Sequence, residues 1–149
     1  MITSKQSWTN GRVIIMAEKT IFTRIVEGEI PAAKVYEDDE FLAFMDIRPV
    51  NKGHVLVITK DVYSTLKDMP EDMVARMFKL VHKLTGPVME AAGAPMFNWY
   101  VIGDEVPHAH IHIVPRFEGD RKVSLSQGSY DEEDEIEKYA EKIRENMQS

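Results

Sequence analysis

Three histidines alternate with small or apolar residues in one short segment of the sequence. His108, His110 and His112 stand in Val-Pro-His-Ala-His-Ile-His-Ile-Val-Pro and make up three of the five histidines in the chain. Because the side chains of a strand point alternately to its two faces, the three imidazoles would share one face, while Ala109 and Ile111 share the other. The apolar face predicts a strand packed on one side, which leaves either a solvated imidazole face or a site for chemistry.

Two kinds of chemistry fit alternating histidines on a strand. Imidazoles chelate metal ions, and His54 is the additional ligand candidate near a β segment. The first and third histidines are about 13 Å apart at strand rise, so they do not converge easily on one ion. Alternatively, one imidazole attacks phosphorus as a nucleophile, while its neighbours orient it and handle the proton of the leaving group. The spacing favours the nucleophile modestly and leaves both interpretations open.

The spacing of apolar residues predicts the elements that would position this segment. Strands are expected over Val35–Glu37, Phe41–Asp46, His54–Thr59, Phe97–Ile102 and His108–Val114. Helices are expected over Thr20–Val26, over Pro70–Ala92 with a bend or interruption at Gly86-Pro87, and at the C-terminus on a stripe formed by Ile136, Tyr139, Ile143 and Met147. This order predicts an α+β domain, in which an antiparallel sheet of about five strands accompanies a long central helix, a short N-terminal helix and a C-terminal helix.

Length and composition describe one acidic domain. The 149 residues suffice for a single core, and the absence of cysteine excludes disulfides and a cysteine nucleophile. The net charge of −7 argues against a nucleic-acid partner. No apolar run approaches the roughly 18 residues of a membrane span, so we expect a cytoplasmic protein without a membrane partner. Residues 1–19 are expected to be a flexible leader, 20–120 the domain, and 121–149 an acidic linker and the C-terminal helix.

The histidine segment resembles the His-φ-His-φ-His-φ-φ signature of the histidine triad family, in which φ is an apolar residue. Four further blocks are similar to the family in the same order: Thr20-Ile-Phe-Thr-Arg-Ile25, Gly28-Glu-Ile-Pro31, Phe41-Leu-Ala-Phe-Met-Asp-Ile-Arg-Pro49 and Gly53-His-Val-Leu-Val-Ile58. The resemblance spans about residues 20–116 and is closest to the Hint-like nucleoside phosphoramidate hydrolases. It implies a HIT-like fold, a purine nucleotide-type substrate, double displacement at the α-phosphorus and a homodimer.

The resemblance also implies a role for each matching residue. His110 would be the nucleophile that forms a nucleotidyl-histidine intermediate, His108 and His54 would orient it, and His112 would contact the phosphate and the departing group. Asp46 matches the position that binds the ribose hydroxyls, although an aspartate that begins a loop also fits this position. The apolar wall around the base would comprise Ile21, Phe22, Ile25, Phe44 and Ile47.

The chain departs from the family pattern at two places. Thr20, Thr23 and Val62 stand where many bacterial relatives carry the cysteines and histidine of a structural zinc site, so structural zinc is not expected. The double displacement that the resemblance implies requires no metal either, and no cofactor is expected. Asp104 replaces a phosphate-facing glutamine in the loop 102–105, which is shortened and lacks the family's asparagine. These two changes remove phosphate-binding donors and place an acid near the phosphate.

Two alternatives from other classes stay open, the first because of the departures at Asp104 and the missing asparagine, the second because of the alternating histidines. One is a nucleotide-binding regulatory protein with weak or no turnover. The other is a divalent-metal protein that uses His54, His108 and His110. The methionines and Phe78 of the predicted helix 70–92 offer apolar surface for the implied homodimer.

Overall fold

The structure is a computed structural model that describes residues 4–9, 12–17, 19–103, 106–120, 130–135, 137–138, 141 and 144–145. Its strands are β1 (Ser4–Thr9), β2 (Arg12–Ala17), β3 (Lys34–Glu37), β4 (Phe41–Met45), β5 (Val55–Thr59), β6 (Met96–Tyr100) and β7 (His110–Arg116). Its helices are α1 (Ile21–Val26) and α2 (Glu71–Ala92), with a 3₁₀ turn at Leu66–Asp68. The predicted α+β class is confirmed.

The main sheet is antiparallel throughout and has the strand order β3-β4-β5-β7-β6. The prediction of about five antiparallel strands is therefore confirmed. In the ladder between β5 and β7, Ile58 pairs with His110 and Leu56 pairs with His112. Residues that lie directly opposite each other share a face of the sheet. These two histidines therefore extend an apolar face of β5.

Helix α2 covers the other face of the sheet. Met73 and Met77 of α2 pack on Val57, Ile111 and other buried strand residues to form the main core. These two methionines are 5% and 0% exposed, so they belong to the core and not to an exposed apolar surface. Burial of this apolar face is the main term that stabilises the domain.

Helix α2 runs unbroken for 22 residues with Pro87 inside it, so the interruption considered at Gly86-Pro87 does not occur. Pro87 and Lys83 both lie on the exposed side of the helix. Because proline has no N–H, the carbonyl of Lys83 has no intrahelical donor. On this exposed side of the helix, water can take the place of that donor. The helix ends at Gly93, whose φ of +66° lets its N–H reach the carbonyls of Glu90 and Met89.

Helix α1 packs on the sheet face that carries the histidines. Its cap is Thr20, whose hydroxyl accepts the N–H groups of Phe22 and Thr23, while the Thr23 hydroxyl accepts the N–H of Thr20. This capping box satisfies donors that the first turn would otherwise leave unpaired. A second apolar cluster on this face comprises Phe22, Ile25, Leu42, Phe44, Leu56 and Ile58.

The two ends of the chain add elements outside this sheet. Strands β1 and β2, to which the sequence pattern assigned no element, pair antiparallel from Ser4↔Ala17 to Thr9↔Arg12. The predicted flexibility of residues 1–19 stays a prediction. Glu135, Glu137, Lys138, Glu141, Arg144 and Glu145 are helical, as predicted for the C-terminus, whereas its apolar stripe lies outside the described residues. Within the described part of the chain, no helix is long and apolar enough to cross a membrane.

Candidate active site

The histidine cluster is buried between β7, β5 and α1. Strand β7 begins at His110, so His108 precedes the strand instead of beginning it as predicted. Its ring nevertheless joins the cluster, because Phe22 packs edge-on against both His108 and His110, with ring centroids 5.6 and 5.1 Å apart. His108, His110 and His54 are only 0%, 2% and 3% exposed. The alternative of a solvated imidazole face is therefore wrong.

The hydrogen bonds of His108 define its proton. Nε2 lies 2.6 Å from the carbonyl oxygen of Thr59, and a carbonyl only accepts, so Nε2 carries the hydrogen. Nδ1 is then an acceptor, and the hydroxyl of Thr20 donates to it at 2.7 Å. Burial lowers the pKa of His108 below its ordinary value, with a smaller contribution in the same direction from His110. His108 is therefore a neutral ring held at both nitrogens.

The ring of His110 is oriented by the backbone of His108. Its Nδ1 donates to the carbonyl oxygen of His108 at 2.6 Å. A neutral imidazole carries one hydrogen, so the lone pair of His110 is on Nε2. The ring is confined on one side by Phe22 and on the other by His112, whose centroid is 5.1 Å away in an edge-to-face arrangement. This is the geometry that a nitrogen nucleophile requires.

His54 and His112 form a second chain of directed hydrogen bonds. The N–H of Val50 donates to Nδ1 of His54 at 3.1 Å, so the hydrogen of His54 is on Nε2. This Nε2–H donates to Nδ1 of His112 at 2.9 Å, which places the hydrogen of His112 on its own Nε2. That Nε2 is buried and has no hydrogen-bond partner among the described residues. An unsatisfied buried donor beside His110 is suited to a ligand oxygen or nitrogen.

Burial keeps this pair uncharged. Desolvation, followed by the effects of His110 and His54, lowers the pKa of His112 to about 4. Desolvation also lowers the pKa of His54, and Asp46 opposes that effect. His112 therefore offers a hydrogen bond without adding a positive charge at neutral pH.

Asp46 combines a loop role with a position in the site. Its Oδ1 accepts the N–H of Arg48 at 2.8 Å, which is the local turn expected of a loop aspartate. Its Oδ2 lies 3.7 Å from Nε2 of His54. The two interpretations of this residue are thus compatible, because each uses a different oxygen atom.

The loop 46–54, which carries Asp46 and His54, is hydrogen-bonded to the end of β7. Asn51 is buried and donates its Nδ2 to the carbonyl oxygen of Pro115 at 2.9 Å. Gly53 has a φ of +100°, and a Cβ atom at this position would lie 3.1 Å from the Cβ atom of the last α2 residue. The loop therefore requires glycine beside His54 for both its conformation and its close approach to α2.

The structure does not support the three histidines that the sequence suggested as metal ligands. Both ring nitrogens of His108 already have partners in the protein, so His54, His108 and His110 do not form a ligand set. Among the described residues, the group whose ligand atoms lie within 4.8 Å of one another is Asp46, His54 and His112. This group could reach one ion, but the facing nitrogens of its histidines are joined by a hydrogen bond, which accounts for their approach.

The five residues predicted to form an apolar wall divide into two sets. Phe22, Ile25 and Phe44 are buried beside the histidines, and the rings of Phe22 and Phe44 pack at 5.9 Å. Ile21 and Ile47 are 53% and 90% exposed, so neither packs in that cluster. Contact of these residues with a base stays a prediction. Asp104 lies outside the described residues.

The residue pattern does not predict the three groups that fix the histidine protons. Thr20 begins a predicted helix and stands where relatives carry a cysteine, and a threonine directly before an apolar helical run is also a capping signal. The other two groups are the carbonyl of Thr59 and the N–H of Val50. Backbone groups of this kind are present at nearly every residue, so no residue type could have indicated them.

Comparison with known proteins assigns the family. Residues 27–119 match the model of the HIT domain, the histidine triad domain. The chain is 46% identical over 108 residues to an uncharacterised HIT-like protein of Methanocaldococcus jannaschii, which covers 69% of this chain and 83% of that protein. The residues that match the family model include Asp46 and the four histidines of the candidate site. The chain belongs to the HIT family.

Two further relatives carry activities in their names. An adenylylsulfatase of Arabidopsis thaliana is 39% identical over 105 residues, covering 67% of this chain and 53% of that protein. An adenosine 5′-monophosphoramidase of Schizosaccharomyces pombe is 37% identical over 99 residues, covering 64% and 73%. Among solved structures, a HIT family member from Bacillus subtilis superposes with a TM-score of 0.76 at 29% identity, covering 86% of this chain and 96% of that one. The histidine triad resemblance, including the Hint-like branch, is confirmed.

Proposed function

We propose that this protein is a nucleotide hydrolase that cleaves a phosphorus–nitrogen or phosphoanhydride bond at the α-phosphorus of a purine nucleotide through a covalent nucleotidyl-histidine. The observation that carries the proposal is the ring of His110, whose Nδ1–H is held by the carbonyl of His108 so that the lone pair is on Nε2. The relatives named as an adenylylsulfatase and an adenosine 5′-monophosphoramidase support a reaction at a nucleotide phosphate.

In the first step, Nε2 of His110 attacks phosphorus and the bond from phosphorus to the leaving nitrogen breaks. The electron pair of that bond stays on the leaving nitrogen, which departs as a neutral amine because the substrate binds with this nitrogen protonated. The Nε2–H of His112, fixed by the donor of His54 at 2.9 Å, would donate a hydrogen bond to a phosphate oxygen. Both histidines keep their protons and stay neutral, in keeping with the low pKa of His112.

In the second step, water attacks phosphorus and the bond from phosphorus to Nε2 of His110 breaks. One proton of the water is released to solvent or to the departed amine, and the other stays with the product, a nucleoside monophosphate. The reaction consumes one water and releases one amine, so protons and electrons balance. Splitting the displacement into two steps is the usual advantage of a covalent intermediate.

The remaining parts of the site suit the nucleoside. The Oδ2 atom of Asp46 would accept hydrogen bonds from the ribose hydroxyls, because Oδ1 is already used by Arg48. The buried rings of Phe22 and Phe44 offer an apolar surface to the base. This assignment gives Asp46 a role in affinity and His110 a role in turnover.

We also propose a homodimer formed at strand β6. This strand is an edge of the main sheet, and its Phe97 and Trp99 are 41% and 36% exposed. Phe78 of α2 packs beside Trp99 at 6.3 Å, so the apolar surface continues onto the helix. Sedimentation of a Phe97→Lys variant as a monomer would support this interface, with Met96→Lys on the opposite face of β6 as the matched control. An unchanged dimer in Phe97→Lys would contradict it.

A His110→Ala variant tests the hydrolase proposal. We expect adenosine 5′-phosphoramidate hydrolysis to fall to background, because the covalent route is lost. Mass spectrometry of quenched wild-type protein should show an adenylyl adduct on the peptide that contains His110. The control is His82→Ala, since His82 is exposed on α2. Full activity in His110→Ala would refute the mechanism, and nucleotide binding without turnover by the wild type would favour the regulatory alternative.

A further inference from the structure

The hydroxyl of Thr20 belongs at once to a helix cap and to the histidine cluster. Its oxygen accepts the N–H groups of Phe22 and Thr23, each at 3.2 Å. The same oxygen lies 2.7 Å from Nδ1 of His108, which is 88 residues away in sequence. The cap therefore joins α1 directly to the residue that precedes the catalytic strand.

The direction of this hydrogen bond follows from its neighbours. His108 carries its hydrogen on Nε2, because that nitrogen faces the carbonyl of Thr59. Nδ1 of His108 therefore accepts, and Thr20 donates. The oxygen of Thr20 is left to receive the two backbone donors of the helix cap, so one hydroxyl satisfies both sets of partners.

This bond also determines where Phe22 lies relative to the nucleophile. Phe22 is two residues from Thr20 on the first turn of α1, and its ring packs edge-on against His108 and His110. The backbone carbonyl of His108 holds Nδ1 of His110. Thr20 thus acts on His110 by two routes, through the ring of Phe22 and through His108.

We propose that Thr20 is a positioning residue, whose capped hydroxyl keeps His108 and Phe22 in the arrangement that leaves the lone pair of His110 on Nε2. This inference rests on the proposed function, because it assigns Thr20 to the turnover of the same site. Thr20 touches neither substrate nor reacting atoms, and its effect is on the orientation of the nucleophile.

Four variants separate this role from helix capping. Thr20→Ser keeps both the cap and the donated hydrogen bond, and Thr20→Val removes both. Thr20→Asp keeps a strong cap, but an ionised carboxylate cannot donate to Nδ1 of His108. Thr23→Val is the matched control, because it removes a capping-box hydroxyl from the same turn while leaving the bond between Thr20 and His108.

We expect kcat for adenosine 5′-phosphoramidate to fall about tenfold in Thr20→Val and Thr20→Asp, because a less well oriented nucleophile reacts more slowly. KM should change less than kcat, since the only proposed nucleotide-binding group affected is the ring of Phe22, and Thr20 positions that ring indirectly. Thr20→Ser and Thr23→Val should stay within about twofold of the wild type in kcat. A normal kcat in Thr20→Asp, or an equal loss in Thr23→Val, would overturn the proposal.

Nitrogen-15 NMR of the imidazole rings supplies a measurement that does not depend on turnover. In the wild type and in Thr23→Val, Nδ1 of His108 should show the shift of a hydrogen-bonded acceptor, and His110 should be a pure Nδ1–H tautomer. In Thr20→Val, the His108 signal should move and His110 should populate the Nε2–H tautomer. Unchanged spectra would refute the positioning role, whereas inactive wild-type protein with these spectral changes would refute only the proposed hydrolase.

Discussion

Nε2 of His54 lies 2.9 Å from Nδ1 of His112, and the proton between them belongs to His54, because the other nitrogen of His54 accepts the N–H of Val50. One backbone amide in the loop 46–54 thereby sets the tautomer of two histidines in succession. The outcome is an N–H group of His112 that faces the site with no partner among the described residues.

Replacing His54 by Asn should release His112 from this constraint. Without the donor of His54 at its Nδ1, His112 would populate both tautomers, and the second tautomer would present a lone pair where the site needs a donor. We expect kcat for adenosine 5′-phosphoramidate to fall by about tenfold to a hundredfold, measured in steady state. The exposed His82 provides the control variant His82→Asn. An unchanged kcat in a folded His54→Asn protein would show that turnover does not depend on the tautomer that His54 imposes on His112.

The variant Asp46→Asn tests contact with the ribose. The amide oxygen can still accept the N–H of Arg48, so the turn is preserved while the charge is lost. Affinity for adenosine monophosphate should weaken by about 1.5–3 kcal/mol, as expected for charge-assisted hydrogen bonds, in calorimetric titrations. A 2′,3′-dideoxy nucleotide serves as the comparison, because it should bind equally to both proteins. Equal affinity for the ordinary nucleotide would leave Asp46 with its loop role alone.

Stability should decline as the pH falls from 7 to 5. The pKa of His112 is about 4 in the folded protein, below its ordinary value of 6.5. The unfolded chain therefore binds a proton in this interval that the folded chain does not, which favours unfolding. His112 alone corresponds to about 2 kcal/mol between these pH values, and the lowered pKa values of His54 and His108 act in the same direction.

Urea unfolding of the wild type at the two pH values measures this effect. A His112→Gln variant should show a smaller dependence on pH, and His82→Gln should behave as the wild type. The interval lies above the range in which most carboxylates titrate, so their contribution is small. Identical pH dependence in His112→Gln and the wild type would contradict the assignment.

Asp104→Gln should raise kcat/KM for nucleoside phosphoramidates about tenfold. This expectation comes from the resemblance to the histidine triad family, which implies that Asp104 stands where the family has a phosphate-facing glutamine. Two unit charges about 5 Å apart repel by roughly 3 kcal/mol at an effective dielectric constant near 20, and screening reduces this value. Glu105→Gln is the matched control on the neighbouring acid. A variant no faster than the wild type would mean that the carboxylate of Asp104 does not face the phosphate.

The sequence predicted the elements well because their apolar periods are strong. Met73, Met77 and Leu80 recur at helical spacing, and in the structure all three are buried in α2. The sequence also predicts a bend or interruption of the helix at Pro87. An exposed proline destabilises a helix less than a buried one, because water replaces the missing N–H donor. Strand β2 was missed because the apolar run Val13–Met16 does not alternate with polar residues.

The candidate site was predictable in its residue types but not in its proton arrangement. The alternation of His110 and His112 placed both on one face, as the ladder with β5 confirms. His108 was expected on that strand, and its position before the strand depends on tertiary contacts with Thr59 and Thr20. Ile47 matched a family position but lies exposed in a loop, where no local pattern determines burial.

Alternate residues of strand β7 serve two different purposes, the packing of the main core and the histidine cluster. Ile111 and Ile113 are fully buried beneath α2, whereas His110 and His112 face the other side of the sheet. Substitutions on the α2 side therefore alter the free energy of unfolding with little effect on the chemistry, and those around the imidazoles alter the chemistry with the main core intact. Substitutions beside the imidazoles can therefore accumulate during evolution while the main core is preserved, as long as the register of β7 does not change.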